Sequence, residues 1–251
     1  MPVMDEFKEE RARMKEKPLK AKLSYFWDYH KVHVIIISCV FLFAATLIHS
    51  IVTAKDTALW VALIDCNSNE ATTEAYKAEL TKLMGIDTSK EELNLDNSYT
   101  LTGMDSIDAS SAEALSVRIM AGEIDVFVSH EDVFDRYVQN GIFRDIREVL
   151  SPEQLAYYQD SFYYVDYAII ESGAIYEQDF TQTQFVDNAD HTTPEGMEKP
   201  MVAGIYVTGT EEFQGHYYFK NGQEVVFGIP YYSENTAYAL QFLDNMSGRV
   251  E

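Results

Sequence analysis

The sequence predicts a single transmembrane helix followed by an exported domain of mixed α/β class, and three observations carry this prediction. The stretch Val34 to Val52 contains no Asp, Glu, Lys or Arg and is long enough to cross a bilayer core of roughly 30 Å. Basic residues are concentrated before this stretch, and strand-like and helix-like apolar patterns alternate after it. The composition, 47% hydrophobic and 24% charged, is typical of a folded chain.

The distribution of charge predicts the orientation of the helix. Residues 1–33 contain eight Lys or Arg, whereas only Lys55 precedes Lys77 on the other side. The positive-inside rule therefore predicts a cytoplasmic segment at 1–33, a span at 34–52 and an extracytoplasmic domain at 54–251, anchored in the cell membrane. A cleavable signal peptide is the alternative, but the long basic lead and the long apolar run are less typical of one.

The exported segment is strongly acidic. Residues 54–251 contain 35 Asp plus Glu and 11 Lys plus Arg, so their formal charge is 11 − 35 = −24. Such a surface repels nucleic acid, and no nucleic-acid partner is expected. Cys39 lies in the apolar run and Cys66 in the domain, so the sequence predicts no intrachain disulfide.

The first half of the exported segment alternates strands with helices. Short apolar runs predict strands, and 3.6-residue periodicity bounded by capping residues and Gly predicts helices. The predicted elements are strands at Ala58 to Ile64, Leu93 to Leu101 and Ile124 to Val128, with helices at Glu70 to Met84, at Ser110 to Ala121 and from the caps Ser129 and Asp132 to Gly141.

The second half is richer in β-branched and aromatic residues. Ser151-Pro152-Glu153-Gln154 is a strong helix-start signal, because it combines a cap, a Pro at the first position and an acid in the first turn. The other predicted elements are strands at Tyr163 to Ile170 and Val202 to Val207, a two-stranded hairpin within His216 to Gly228 that turns at Asn221-Gly222, a loop at Asp187 to Lys199 and a helix at Glu234 to Met246.

The chain carries no recognisable catalytic motif. It lacks G-x-S-x-G, H-E-x-x-H, a P-loop and G-x-G-x-x-G. We therefore expect no enzymatic activity, no cofactor and no metal site. An anchored hydrolase, the alternative, would need His130, His191 or His216 to converge with an acid or a nucleophile. Asp125, inside the apolar run of a predicted strand, is expected to be a structural, hydrogen-bonded carboxylate.

Acidic loop residues make calcium binding a further alternative. They lack the one-three-five ligand spacing and the Gly of an EF-hand loop. These residues are Asp96, Asp105, Asp108, Asp187 and Asp190.

Several segments resemble extracellular solute-binding proteins of ABC transporters, which have the type II periplasmic-binding fold. Ala121-Gly122-Glu123-Ile124-Asp125-Val126, Gly141-Ile142-Phe143-Arg144-Asp145-Ile146 and Leu150-Ser151-Pro152-Glu153 are similar to the middle of that family. The strand and helix from Gly228-Ile229-Pro230-Tyr231 to Met246 are similar to its strand-to-helix return. The resemblance implies a reduced version of this fold and a solute-binding-like function.

The membrane-proximal segment resembles a second group of proteins. Phe26-Trp27-Asp28-Tyr29-His30-Lys31 is similar to a signature in membrane-anchored proteins of uncharacterised function from Firmicutes. This resemblance implies the topology and says little about activity.

The expected ligand site follows from the expected architecture. In an α/β fold with a parallel core, ligands meet the carboxyl ends of the strands. A small-molecule ligand is therefore predicted to contact Asp65 and Asn67 after the first strand, Ser129 and His130 after Val128, and Tyr231 and Ser233 before the final helix. The alternative is a structural or protein-interaction component of a cell-envelope assembly, which would bind an envelope protein through its acidic, Tyr-bearing surface.

Overall fold

The computed structural model describes residues 18–101, 109–172, 190–219 and 224–249. The chain divides into two compact units, Met1–Ala54 and Lys55–Glu251. Each unit has its own internal contacts.

The first unit contains one long helix, α1, at Leu19–Thr53. Its segment Lys31–Thr53 has 23 residues, and the most apolar 18 of them have a mean hydropathy of 2.5 and are not buried. At roughly 1.5 Å per residue, such a segment is as long as a bilayer core is thick. The helix is therefore compatible with a single-pass membrane anchor, although a signal sequence can also meet these requirements of length and hydropathy.

The second unit is built on a mixed β-sheet. Its strands are β1 (Asp56–Leu63), β2 (Cys66–Ser68), β3 (Glu91–Asp96), β4 (Val126–His130), β5 (Phe162–Asp166), β6 (Pro200–Val207), β7 (Tyr217–Phe219) and β8 (Val225–Gly228). Six of them form one sheet in the order β3-β1-β4-β8-β6-β5. β3, β1 and β4 are parallel, β8 is antiparallel to β4 and β6, and β5 is antiparallel to β6.

Helices cover both faces of this sheet. They are α2 (Thr73–Leu83), α3 (Ala109–Met120), α4 (Glu131–Val138), α5 (Pro152–Tyr158), α6 (Tyr167–Ser172), α7 (Glu211–His216) and α8 (Thr236–Ser247), with 3-10 turns at Ile146–Glu148 and Gln159–Ser161. The predicted mixed α/β class is thereby confirmed. The predicted helix start at Ser151 is also confirmed, because Ser151 and Gln154 form a reciprocal capping box.

The core has two halves because side chains alternate along each strand. Leu59, Val61 and Leu63 of β1 pack on one face of the sheet with apolar residues of α2 and α8. Ala62 of β1 and the following Ile64 pack on the other face with α3 and α4. The sheet is thus the middle of three layers.

Two strands are shorter than predicted, and an Asp ends each of them. The strand predicted to reach Leu101 ends at Asp96, whose Oδ1 accepts a hydrogen bond from the Ser98 amide at 3.0 Å. The strand predicted to reach Ile170 ends at Asp166, whose Oδ1 accepts one from the Ala168 amide at 3.0 Å. An Asp side chain that accepts from the amide two residues later turns the backbone out of the extended conformation. The residues after Asp166 form α6.

The strand predicted at Ile124 to Val128 ends two residues later than expected, so the helix after it also begins later. β4 continues through Ser129 and His130, because these residues pair with Val226 and Val225 of β8. Ser129 is therefore a strand residue and not a helix cap, and His130 occupies the N-cap position of α4.

The two strands of the hairpin predicted at His216 to Gly228 do not pair with each other, because they lie in different sheets. β7 pairs antiparallel with β2 in a two-stranded sheet. β8 lies between β4 and β6 in the main sheet, so neither of its edges is available to β7. The predicted turn at Asn221-Gly222 lies outside the described residues.

The packing of β6 against β8 and α4 leaves no space for a side chain at Gly204. A Cβ at this position would lie 2.6 Å from the Phe227 carbonyl oxygen and 2.9 Å from Cζ of Phe134. By contrast, a Cβ at Gly215 in α7 would have no described atom within 4 Å outside the neighbouring backbone of its own helix. We expect Gly204→Ala to lower the free energy of unfolding by about 1–3 kcal/mol, since the backbone oxygen cannot yield without moving the sheet.

Gly215→Ala is the matched control for this prediction. It makes the same chemical change in open space and within a helix, where Ala is favoured over Gly by up to about 1 kcal/mol. Urea unfolding of the full chain in detergent micelles measures both effects. Equal unfolding midpoints for the two variants would contradict the packing described at Gly204.

Candidate functional site

A buried carboxylate connects three parts of the second unit. Asp125, which is 1% exposed, lies immediately before β4. Its Oδ2 accepts hydrogen bonds from the Trp60 amide at 2.9 Å and from Asn235 Nδ2 at 3.3 Å, and its Oδ1 accepts one from Ser233 Oγ at 2.8 Å. These contacts confirm the prediction that Asp125 is a hydrogen-bonded structural residue. The segment between β8 and α8 is thereby attached to β1 and β4.

Arg144 is attached to the same segment from the other side. Its Nη2 donates hydrogen bonds to the carbonyl oxygens of Tyr231 at 2.7 Å and Ser233 at 2.8 Å. The neighbouring backbone is also paired, because the Tyr231 amide donates to Ile142 O at 2.7 Å and the Arg144 amide donates to Ile229 O at 3.2 Å. Two loops therefore hold each other in place, and the guanidinium has a fixed position.

These loops form one wall of a cleft with a volume of about 450 Å³. The other wall comes from α6 and the beginning of β6. Two Tyr rings are open to solvent here, with Tyr231 63% and Tyr167 41% exposed. The lining residues are Gly141, Phe143, Arg144, Asp145, Glu148, Tyr167, Lys199, Pro200, Met201 and Tyr231.

Most charges around the cleft are paired. Asp145 accepts hydrogen bonds from Nε and Nη2 of Arg147, and this contact raises the pKa of the Arg147 guanidinium above its ordinary value. Lys199 donates to Glu171, which likewise raises the pKa of the Lys199 ammonium. Beside them, the Glu198 and Lys199 amides donate to Asp166 and lower the pKa of its carboxyl group. The wall of the cleft is thus organised by side chains that already have partners.

Only two of the six predicted site residues lie at this end of the sheet. Tyr231 lines the cleft, and Ser233 contributes the carbonyl oxygen that binds Arg144. Asp65 follows β1 at the other end of the sheet, where the Ile64 amide donates to Val128 O. The expectation of one shared edge was wrong, because β8 is antiparallel to β4 and the residues after it emerge at the amino end of β4.

The other four predicted residues have structural contacts or an exposed position. Asp65 adopts a left-handed backbone conformation with φ of 54°, and its Oδ1 accepts a hydrogen bond from the Leu101 amide at 2.8 Å. Asn67 is exposed in β2. The hydroxyl group of Ser129 donates to His130 O at 2.9 Å, and both side chains are fully buried. Their role in ligand binding stays a prediction.

The three His residues of the second unit contact separate parts of the fold. The ring of His130 packs edge-on against Phe219, and within the described ranges neither of its nitrogens has a hydrogen-bond partner. His191 stacks on Tyr163 with ring centroids 4.3 Å apart. His216 stacks on Tyr76 with ring centroids 4.5 Å apart.

The loop acids weighed for calcium have local roles where the structure describes them. Asp96 accepts hydrogen bonds from the amide and hydroxyl group of Ser98, and Asp190 accepts the same pair from Thr192. Over the described ranges, no three His, Cys, Asp or Glu side chains are grouped to hold a metal ion. Asp105, Asp108 and Asp187 lie outside those ranges.

Sequence reasoning missed Arg144 as a site residue. Its segment, Gly141 to Ile146, was already notable for its resemblance to solute-binding proteins. A further signal was available, since Arg144 is one of only 11 cationic residues in a domain with 35 acids. What the sequence could not show is which loop Arg144 contacts.

Cys66, next to two of the predicted site residues, is expected to be unreactive. Burial raises the pKa of its thiol to about 12, so at pH 8 the folded protein holds it protonated, and the thiolate is the reactive form. In a Cys39→Ser variant, where Cys66 is the single remaining thiol, we expect reaction with a disulfide reagent at pH 8 to be slower by about two orders of magnitude or more in the folded chain than in urea. Similar rates in the two states would contradict the enclosed position of Cys66.

No family model, no curated protein and no solved structure matches the chain. A functional assignment therefore rests on the side chains of the cleft and on the charges and exposed rings that line it.

Proposed function

We propose that the chain is a membrane-anchored, extracytoplasmic binding module that takes a small solute into the cleft and does not catalyse a reaction on it. The length and hydropathy of α1 support the anchored part of this proposal. The excess of Lys and Arg in residues 1–33 supports a cytoplasmic N-terminus, with the acidic domain on the other side of the membrane.

The observation that carries the proposal is a cleft of ligand size with a fixed cation and exposed rings. Small-molecule sites typically have volumes of about 300–1,000 Å³ and combine apolar walls with a few polar groups in fixed positions. The volume of about 450 Å³ falls within this range. Phe143, Met201 and the two Tyr rings supply apolar surface, and Arg144 supplies the polar group.

The resemblance to solute-binding proteins supports the same location. Its central segment, Gly141 to Ile146, contributes Gly141, Phe143, Arg144 and Asp145 to the lining of the cleft. The segment beginning at Gly228, also similar to that family, contributes Tyr231.

Tyr231 is suited to binding because its backbone is fixed while its ring is open. Its amide and its carbonyl oxygen are both hydrogen-bonded, to Ile142 O and to Arg144. The ring contacts Tyr232 edge-on and is otherwise largely accessible. An aromatic surface that is already positioned loses little conformational entropy when a ligand packs against it.

A thermal-shift screen of the full chain in detergent micelles tests the proposal. The ligand classes are sugars, amino acids, short peptides and Ca²⁺. A ligand present at about 100 times its Kd stabilises the folded state by about 2.7 kcal/mol, which raises the unfolding midpoint. If no class produces a shift, the binding function is contradicted, and a protein-interaction component of the cell envelope becomes the better account.

For any ligand that the screen identifies, we expect Tyr231→Ala to weaken binding. The loss should be about 1 kcal/mol, roughly five-fold in Kd, because the ligand loses an aromatic wall. The backbone contacts of residue 231 do not require the ring, so the cleft keeps its shape. Isothermal titration calorimetry of both proteins measures the change.

Tyr157→Ala provides a closely matched control. Tyr157 is 54% exposed and, like Tyr231, contacts the next Tyr edge-on, but it lies on α5 and does not line the cleft. This variant should bind as the unmodified protein does. Equal losses in both variants would show that the ligand does not bind in the cleft.

A further inference from the structure

Arg144 holds a charge without a carboxylate partner in the described chain. The guanidinium group has five N–H donors. The two N–H groups of Nη2 donate to the carbonyl oxygens of Tyr231 and Ser233. Nε is buried and has no acceptor among the described residues. Other arginines differ from Arg144, since Arg118, Arg147 and Arg249 each pair with a carboxylate.

The neighbouring charged side chains do not supply the carboxylate that Arg144 lacks. Asp145 is engaged by Arg147, and Lys199 by Glu171. Glu148 is exposed and is one of the charges that raise the pKa of Arg147, after the larger effect of the hydrogen bond that Arg147 donates to Asp145. The side chain of Arg144 is therefore a fixed cation that lines the cleft, and its hydrogen bonds to described residues leave Nη1 unused.

We infer that the solute bound in the cleft carries a carboxylate group, which pairs with the guanidinium of Arg144 while Tyr167 and Tyr231 flank an apolar or planar part of the same molecule. This inference rests on the proposed function and adds the chemical class of the ligand. The charge of the guanidinium favours a carboxylate ligand, because hydrogen bonds between the two groups are charge-assisted and are about twice as strong as neutral ones. The carbonyl contacts of Nη2 are unaffected by an anion at the Nη1 end.

The acidity of the domain favours an anion with a single charge. Charges further away than a Debye length of about 8 Å are largely screened at physiological ionic strength. The contact with Arg144 is short-range and outweighs them for a monoanion. A doubly charged phosphate would double its attraction to Arg144 as well as its repulsion from Glu148, but its desolvation cost grows with the square of its charge, so the carboxylate is the better match.

Benzoate, benzamide and benzamidinium test the inference, because these planar molecules have nearly the same shape and carry charges of opposite sign or none. Ligand-observed NMR titrations with the full chain in non-ionic micelles at pH 7 compare their affinities. We expect benzoate to bind about 10-fold more tightly than benzamide, and benzamidinium to bind most weakly. Added NaCl should weaken the binding of benzoate and leave that of benzamide unchanged.

Arg144→Gln should reduce the affinity for benzoate to that for benzamide. Lys82→Gln removes the same formal charge from the exposed end of α2, away from the cleft lining, and should leave the preference intact. The salt dependence of benzoate binding to the unmodified protein also shows whether the affinity depends on charge. This measurement needs no substitution, so it stays valid if Arg144→Gln disturbs the loops.

Three results would overturn the carboxylate inference: equal or tighter binding of benzamide or benzamidinium, a benzoate affinity that Arg144→Gln does not change, and no binding of any of the three. The first result, if that binding is lost in Tyr231→Ala, removes only the charge preference and leaves the cleft as a binding site. The proposed function fails separately, when the ligand screen gives no shift.

Discussion

The buried carboxylate of Asp125 attaches the segment after β8 to the beginning of β4, and the cleft depends on that attachment. Asp125 accepts hydrogen bonds from the Trp60 amide, the Ser233 hydroxyl group and the Asn235 amide group. A buried acceptor of this kind costs about 1–3 kcal/mol when it loses its partners, so the segment is held firmly. Arg144 then bonds to the carbonyl oxygens of the same segment. The position of the guanidinium is thus set by a residue in the core of the domain.

The antiparallel course of β8 explains why a cleft forms at the amino end of the parallel strands. In an all-parallel sheet the loops after the strands gather at the carboxyl edge. Here β8 runs against β4, and Pro230 and Tyr231 emerge beside Phe143 at the opposite edge. At the carboxyl edge of β4, Ser129 and His130 are instead enclosed by the pairing with β8 and by the nearby aromatic residues.

Local signals in the sequence predicted much of the fold. The apolar helix, the capping box at Ser151 and the mixed α/β class depend on neighbouring residues, and all three are observed. Several of the elements that differ depend on distant contacts. The strand predicted to reach Ile170 ends early because Asp166 accepts hydrogen bonds from amides near residue 199 as well as from Ala168. Tyr231 was predicted from the sequence and lines the cleft, whereas Arg144 was not predicted, since its position depends on a contact with a residue 87 positions along the chain.

The most direct test of this account is amide hydrogen exchange in a Ser233→Ala variant of the full chain, which removes one hydrogen bond from Asp125 and nothing larger. If the attachment holds the cleft, the amides of Tyr231 and Arg144, which bond to Ile142 O and Ile229 O, will exchange faster than in the unmodified protein. The amide of Ile64, which bonds to Val128 O at the other end of the sheet, will be unchanged. Unchanged exchange at both Tyr231 and Arg144 would contradict the account, because the loops of the cleft would then be held independently of Asp125.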